Sequence, residues 1–261
     1  EPPAPRAAKD RRTFKDLVIH EERECPVDPQ QLPPDAQRCL DEPIVVQDIR
    51  IAPHNIRFVR HVYYSAEQGR FFRGPLPSGY DAGDFGPDLR SLILALKYCG
   101  NMSEAKILEL LENFEVQISS GSVSHLLTDT ADDFADEYRD LFLAGMSSTT
   151  YQHLDDTSAR VAGQFWHTHI LCNPFYTLYA THPHKDRLTI LAVLSHSEVP
   201  LHNNPAELGS RVSARRRDVS LHSKAPRGAR AMDIFTTLVQ TCKKLGVSAY
   251  AYLRDRLSQA N

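Results

Sequence analysis

Apolar side chains recur three and four positions apart in the runs "DLRSLILALKY", "SEAKILELLENF" and "SGSVSHLLTDTADDFADEYRDLFLAG", between Pro87 and about Leu143. That period lines up one face of a helix, so three helices are predicted, with Ser103 and either Ser119 or Ser120 as N-caps. From 151 to 181 the pattern shortens. "YQHLDDTSARV", "QFWHTHILC" and "FYTLYAT" alternate and are rich in β-branched and aromatic residues, and Ala162-Gly163 and Asn173-Pro174 stand between them as turn signals. They predict an antiparallel meander. "IVVQDIRI" (44–51) and "IRFVRHVYY" (56–64) predict two more strands, separated by Pro53, His54 and Asn55. "HKDRLTILAVL" is helical in pattern, and further helices are expected at about 204–217, 227–245 and 248–259.

This order of elements makes the fold class α+β, with α/β interrupted by gaps as the alternative. The predicted divisions are an N-terminal arm (1–41), a small β domain (42–86), a helical domain (87–148), the meander with the helical run after it (149–194), and a helical C-terminal part (195–261). The arm rests on Pro, Ala and mixed charges without apolar periodicity; its first residue is Glu rather than Met, which points to trimming. The second and third helices have the order of a helix-turn-helix, with 121–130 as the reading helix. Against that, this helix contains no Arg or Lys and runs into Asp129, Asp132, Asp133, Asp136 and Glu137, so the packing of a plain helical hairpin is the competing explanation.

Charge and cysteine content narrow the function classes. With 30 Lys and Arg against 33 Asp and Glu, the formal net charge is -3, so any polyanion must be held by a local patch. The five cysteines are scattered without a CxxC pair, which argues against a disulfide framework or a zinc knuckle and suits a reducing compartment. No apolar run has membrane-spanning length and no signal-peptide pattern opens the chain, so a cytoplasmic protein without membrane contact is expected.

Chemistry-bearing residues gather in the second half. Asp155 and Asp156 are adjacent on the first meander strand, and since a strand sends successive side chains to opposite faces, at most one of them serves a given site. The acid that could join Asp155 is Glu207 in "HNNPAELGSRV", although Asn204, Pro205 and Glu207 also match a helix N-terminus with a capping box. Directly after it, residues 208–230 contain Arg211, Arg215, Arg216, Arg217, Lys224, Arg227 and Arg230 against one acid, Asp218. A solvated helix face is the ordinary origin of such a run; in a mildly acidic chain it also reads as a grip on the phosphates of DNA. His167 and His169 share a strand face and His153 lies on a neighbouring strand, a conceivable metal cluster without an acidic or Cys partner at ligand spacing.

"YQHLDDTSARVAGQFWHTHILCNPFYTLYATHPHKDRLTILAVL" and "SEVPLHNNPAELGSRVSARRRDVS" closely resemble the bacterial insertion-sequence transposases of the sixty-six family, and "VVQDIRI", "PLPSGYDAGDFGPDLRSLILALKY" and "MSEAKILELLENFEVQISSGSVSHLL" resemble the regions that precede their catalytic core. The resemblance runs from about residue 26 onward. It implies DDE enzymes with an RNase H-like mixed sheet, begun here by the meander at 149–194 and completed by 195–261. It also implies cutting and joining of double-stranded DNA by in-line phosphoryl transfer, with two divalent ions, Mg2+ or Mn2+, held by three acids, and homo-oligomers on paired transposon ends. Asp155 aligns with the first acid, Glu207 with the last, and Asp156 with a position that is not a ligand. The chain departs from the pattern where the second acid and its strand should stand: "LTILAVL" runs into "SHSEVPLHNN" with no Asp between, so no residue is nominated for that acid.

Two readings result, a metal-dependent transposase and a shortened, non-catalytic derivative that only binds DNA. A structural protein unrelated to DNA leaves the arginine run unexplained. A gap at Leu194–Ser195 would remove a central strand and a metal ligand together, and a chain of that kind should catalyse poorly.

Overall fold

The computed structural model of the protein describes residues 17–36, 42–81, 83–149, 151–184, 204–220 and 223–258. The chain separates into two compact units, Glu1–Ile51 and Ala52–Asn261. The described part of the first unit is irregular, with one 3-10 turn at Pro29–Gln31 closed by the Gln31 N–H on the Asp28 carbonyl. The strand expected at 44–51 does not form. Ile44, Val46 and Ile49 are 81%, 80% and 75% exposed, and a strand needs a ladder partner that none of the described residues supplies.

The second unit begins its regular structure with a hairpin, β1 (Val62–Ser65) against β2 (Arg70–Arg73), antiparallel, with Gly69 at φ +62° in the loop. The strand expected at 56–64 therefore starts later, and β2 is a partner that the reading of the sequence did not provide. Both faces of this hairpin are largely exposed.

Helices α1 (Pro87–Tyr98), α2 (Glu104–Asn113), α3 (Ser120–Asp129) and α4 (Ala135–Ser147) come next. The predicted caps are present: the Lys106 N–H bonds Ser103 Oγ at 3.3 Å, and the Ser122 N–H bonds Ser119 Oγ at 3.0 Å. The run expected as one helix from residue 120 to 145 is broken by a 3-10 turn at Asp132–Phe134. Thr128 turns its hydroxyl back onto the Ser124 and His125 carbonyls just ahead of the break, the local competition that weakens helices rich in Thr and Asp. The turn brings Phe134 into the core, edge-on to Phe235 with ring centroids 5.3 Å apart.

The meander forms as expected: β3 (His153–Val161), β4 (Gln164–Cys172) and β5 (Thr177–His182), antiparallel, in the order β3-β4-β5. Ala162 (φ +50°) and Gly163 (φ +79°) make the tight first turn. The helix expected over "HKDRLTILAVL" and the Leu194–Ser195 junction lie outside the described residues. After them come α5 (Asn204–Val219), α6 (Pro226–Lys244) and α7 (Ala249–Ser258), close to the expected bounds.

Helix α6 joins the two halves of this mixed α+β unit. One side contributes Ala231, Ile234, Phe235 and Leu238 to a core shared with Ile93, Leu94, Ile107, Leu111, Val123, Leu127, Leu253 and Leu257. The other side lies along the edge of β5. Asp233 Oδ2, Thr237 Oγ1 and Thr241 Oγ1 accept from the N–H groups of Thr181, Tyr179 and Thr177 at 2.7, 2.9 and 3.3 Å. The spacing works because four residues of helix rise about 6 Å and two of strand about 6.6 Å, so each turn of α6 meets the next outward N–H of β5. The edge is thereby satisfied by a helix in place of a strand. Lys244 at the end of α6 donates to the Asn173 and Tyr176 carbonyls at 2.6 and 2.7 Å, anchoring the β4–β5 turn. Among the described residues, no helix is long and apolar enough to cross a membrane.

Candidate functional site

The sheet register fixes which side chains meet. Asp155 stands opposite Ile170, and Ile170 opposite Tyr179, so these three share one face. Helix α5 covers that face. Its Gly209 comes so close that a Cβ there would lie 2.8 Å from Ile170 Cγ2, and the Tyr179 hydroxyl donates to the Gly209 carbonyl at 3.1 Å. The next residue, Ser210, donates its hydroxyl to Asp155 Oδ2, so the half-buried acid is gripped by the helix that carries Glu207. Gly209→Ala should therefore lift α5 from the sheet. Because the obstructing methyl is attached directly to a β-branched carbon and cannot swing away, a loss of about 1–3 kcal/mol in urea unfolding is expected.

Glu207 stands three residues before Ser210, hence on the same side of α5, but it is exposed. The capping alternative turns on the Asn204 side chain, which is outside the described residues. Asp156 faces the opposite side of the sheet, across from His169. Among the described residues no group of three or more His, Cys, Asp or Glu side chains could hold a metal ion.

The histidine expectation changes in its membership. His153 pairs with Cys172 and shares the face of Asp155, whereas His167 and His169 lie on the other face, because odd and even positions of β3 and β4 alternate. Their companion there is His182, directly opposite His167 and 6.3 Å in ring-centroid distance from His169. His169 is buried, and burial pushes its pKa below the usual histidine value; its Nδ1 has no hydrogen-bond partner among the described residues. The alternation of "YATH" against "HTHI" was the signal for His182, once the register of β5 was known.

The basic tract is divided by the fold. Arg216 is 9% exposed and donates inward to the Tyr98 carbonyl at 2.9 Å, to Thr236 Oγ1 and to Met232 Sδ. It is a strut between α1, α5 and α6 and has no guanidinium to offer a phosphate. Arg217 clasps β3, donating to the Ser158 carbonyl at 2.6 Å and to Thr157 Oγ1 at 3.1 Å. Arg227 pairs with Asp129 and Asp132, each at 2.9 Å, and Arg230 with Asp132 at 3.7 Å. Arg211, Arg215 and Lys224 are exposed and make no ion pair among the described residues. The exposed positions of α3 are Ser120, Gly121, His125 and Asp129, and Asp129 is held by His125 and Arg227, so its outer face offers an acid where a DNA groove calls for cations.

A cleft of about 630 Å3 opens between α4, α6 and the end of the sheet, lined by Tyr138, Trp166, His182, Arg230 and Asp233. Neither Asp155 nor Glu207 lines it.

Comparison with known proteins gives one partial likeness. Over 73 residues the chain is 41% identical to "Uncharacterized protein y4jO" of Sinorhizobium fredii (strain NBRC 101917 / NGR234), a match covering 28% of this chain and 22% of that protein. The chain thus spans about a fifth of the length of the relative it matches. No protein-family model and no solved structure matches it.

Proposed function

We propose that this chain handles double-stranded DNA as part of a DDE-type transposase of a bacterial insertion sequence, with Asp155 and Glu207 at the centre where strands are cut and joined. The observation that carries the reading is the docking of α5 on β3: one helix bears Glu207 and, a turn later, the Ser210 hydroxyl that holds the Asp155 carboxylate. An RNase H-like sheet belongs to the same reading and rests on the sequence resemblance, whereas a helix-turn-helix ahead of it rests on the order of α2 and α3. In this arrangement Ser210 keeps Asp155 in one orientation, and Arg211, Arg215 and Lys224 hold the DNA backbone around it. The protein would act as a homo-oligomer that brings two DNA ends together.

Two carboxylates are suitable oxygen donors for Mg2+ or Mn2+, but they do not make the three-acid set that the family chemistry requires. The test is nicking of supercoiled DNA with Mg2+ or Mn2+ supplied: Asp155→Ala should abolish it, and EDTA should do the same to the unaltered protein. Since Asp155 accepts one described side-chain bond, from Ser210, the variant should remain folded, with a loss of no more than about 3 kcal/mol against the parent. Nicking that survives the substitution removes Asp155 from the centre.

The absence of an Asp between "LTILAVL" and "SHSEVPLHNN" in the sequence favours a second reading, a derivative that binds DNA without cutting it. It predicts binding that weakens steeply with salt and is indifferent to EDTA.

A further inference from the structure

We infer that the β1–β2 hairpin is a DNA-binding arm that enters the major groove. It is a site separate from Asp155 and from the basic tract, although the choice of DNA as its partner rests on the function proposed above. The hairpin has an arrangement that its own fold does not use. Opposed pairs Tyr63–Phe72 and Tyr64–Phe71 place two aromatic rings on each face. These rings stay exposed: Tyr63 69%, Tyr64 59%, Phe71 58% and Phe72 40%. Each face also carries one arginine stacked on its own aromatic, Arg70 over Phe72 at 4.5 Å and Arg73 over Phe71 at 5.6 Å. A two-stranded hairpin whose faces are left largely exposed by the described residues is marginal in water, so exposed aromatics on both faces call for an occupant.

The charge says which occupant. From Ile56 to Pro75 there are four arginines and one acid, Glu67. Two such hairpins laid face to face would oppose like charges, whereas a polyanion is complementary. The symmetry of the two faces says which polyanion. A flat partner would cover one face and leave the other two rings in water; a groove has walls on both sides. The major groove, about 12 Å wide, admits a two-stranded ribbon, and a ribbon entering edge-on so that each face meets a wall presents a thickness of about 10 Å. Arginines held by cation–π stacking would then meet phosphates or guanine edges with little ordering left to do, and the aromatics would meet thymine methyls.

The experiment is fluorescence-anisotropy titration of the full chain with a fluorescein-labelled DNA duplex across a series of salt concentrations. Trp166, on β4, reports whether each variant is folded. Arg70→Ala/Arg73→Ala should weaken binding by roughly tenfold or more and lower the slope of log affinity against log salt by about two. Tyr63→Ala/Phe72→Ala should weaken binding with the slope unchanged. If the parent binds DNA and both hairpin variants bind it equally well, the arm is overturned while the proposed function stands, and loss confined to Arg211→Ala/Arg215→Ala would locate the contact on α5. If the parent binds no DNA even at low salt, both fall. If the hairpin variants alter only the sedimentation of the protein, the occupant is a second copy and the inference is wrong.

Discussion

Arg216→Ala is expected to destabilise the protein by about 3–5 kcal/mol, the sum of two buried acceptors left unmet and the space vacated by the side chain. The Tyr98 carbonyl is at the C-terminal end of α1, where the last carbonyls have no helical partner and the helix dipole is negative. The Arg216 guanidinium caps that end, stacks 5.7 Å from the Tyr98 ring and reaches Thr236 on α6, so a single cation joins three helices. Burial pushes its pKa down from the usual arginine value, yet arginine remains protonated in proteins. No carboxylate forms an ion pair with it among the described salt bridges, so its close partners are a helix-end carbonyl and a hydroxyl, with the Asp233 carboxyl adding a favourable field from further away when it is ionised. Arg216→Met fills the same space without a buried charge and should fall within about 2 kcal/mol of the parent. Urea midpoints at unchanged m-value measure both. A parent-like midpoint for the alanine variant would mean that Arg216 is free to meet a ligand.

The second large effect is a dependence of stability on pH that Asp233→Asn removes. Burial pushes the Asp233 carboxyl up to about 7 from its usual 3.8, against the opposing pull of the two Thr181 donors. Between about pH 4 and pH 7 the folded protein therefore holds a proton that the unfolded chain has released. Stability contributed by this group falls as pH rises through that window, and above it the full cost of a buried carboxylate is present, on the order of 4 kcal/mol. His169 acts in the opposite direction: its lowered pKa means the unfolded chain takes up the proton first, so it weakens the fold as pH falls. The difference between parent and Asp233→Asn isolates the carboxyl from the histidines. An asparagine can still accept from the Thr181 N–H and donate to its hydroxyl, so the variant should be the more stable protein at pH 8 and lose that advantage toward pH 4. Parallel curves for the two proteins would refute the assignment.

These two residues show where the sequence was legible. Both serine caps, the meander and its turns, and the last helices could be read from local pattern, because a cap, a tight turn or an amphipathic face is decided by residues a few positions apart. The strand expected at 44–51 failed for lack of a partner, which no local pattern reports. Arg215, Arg216 and Arg217 looked like one patch, although consecutive helical residues point about 100° apart and cannot share a face. That much was readable; that the middle one would turn inward was not, since it depends on the C-terminus of α1 arriving from residue 98. The same is true of Asp233, Thr237 and Thr241, whose four-residue spacing carries no meaning until β5 lies beside α6.

The sequence by itself determined the order and kind of most elements, the alternation that separates Asp155 from Asp156, and the concentration of cations after Glu207. Tertiary structure alone decided that Ser210 grips Asp155, that His182 and not His153 joins His167 and His169, and which cations remain free for a partner. The physical reason is range: backbone period and capping are set within a turn or two, whereas burial and hydrogen-bond pairing of a side chain are set by whatever distant segment packs against it.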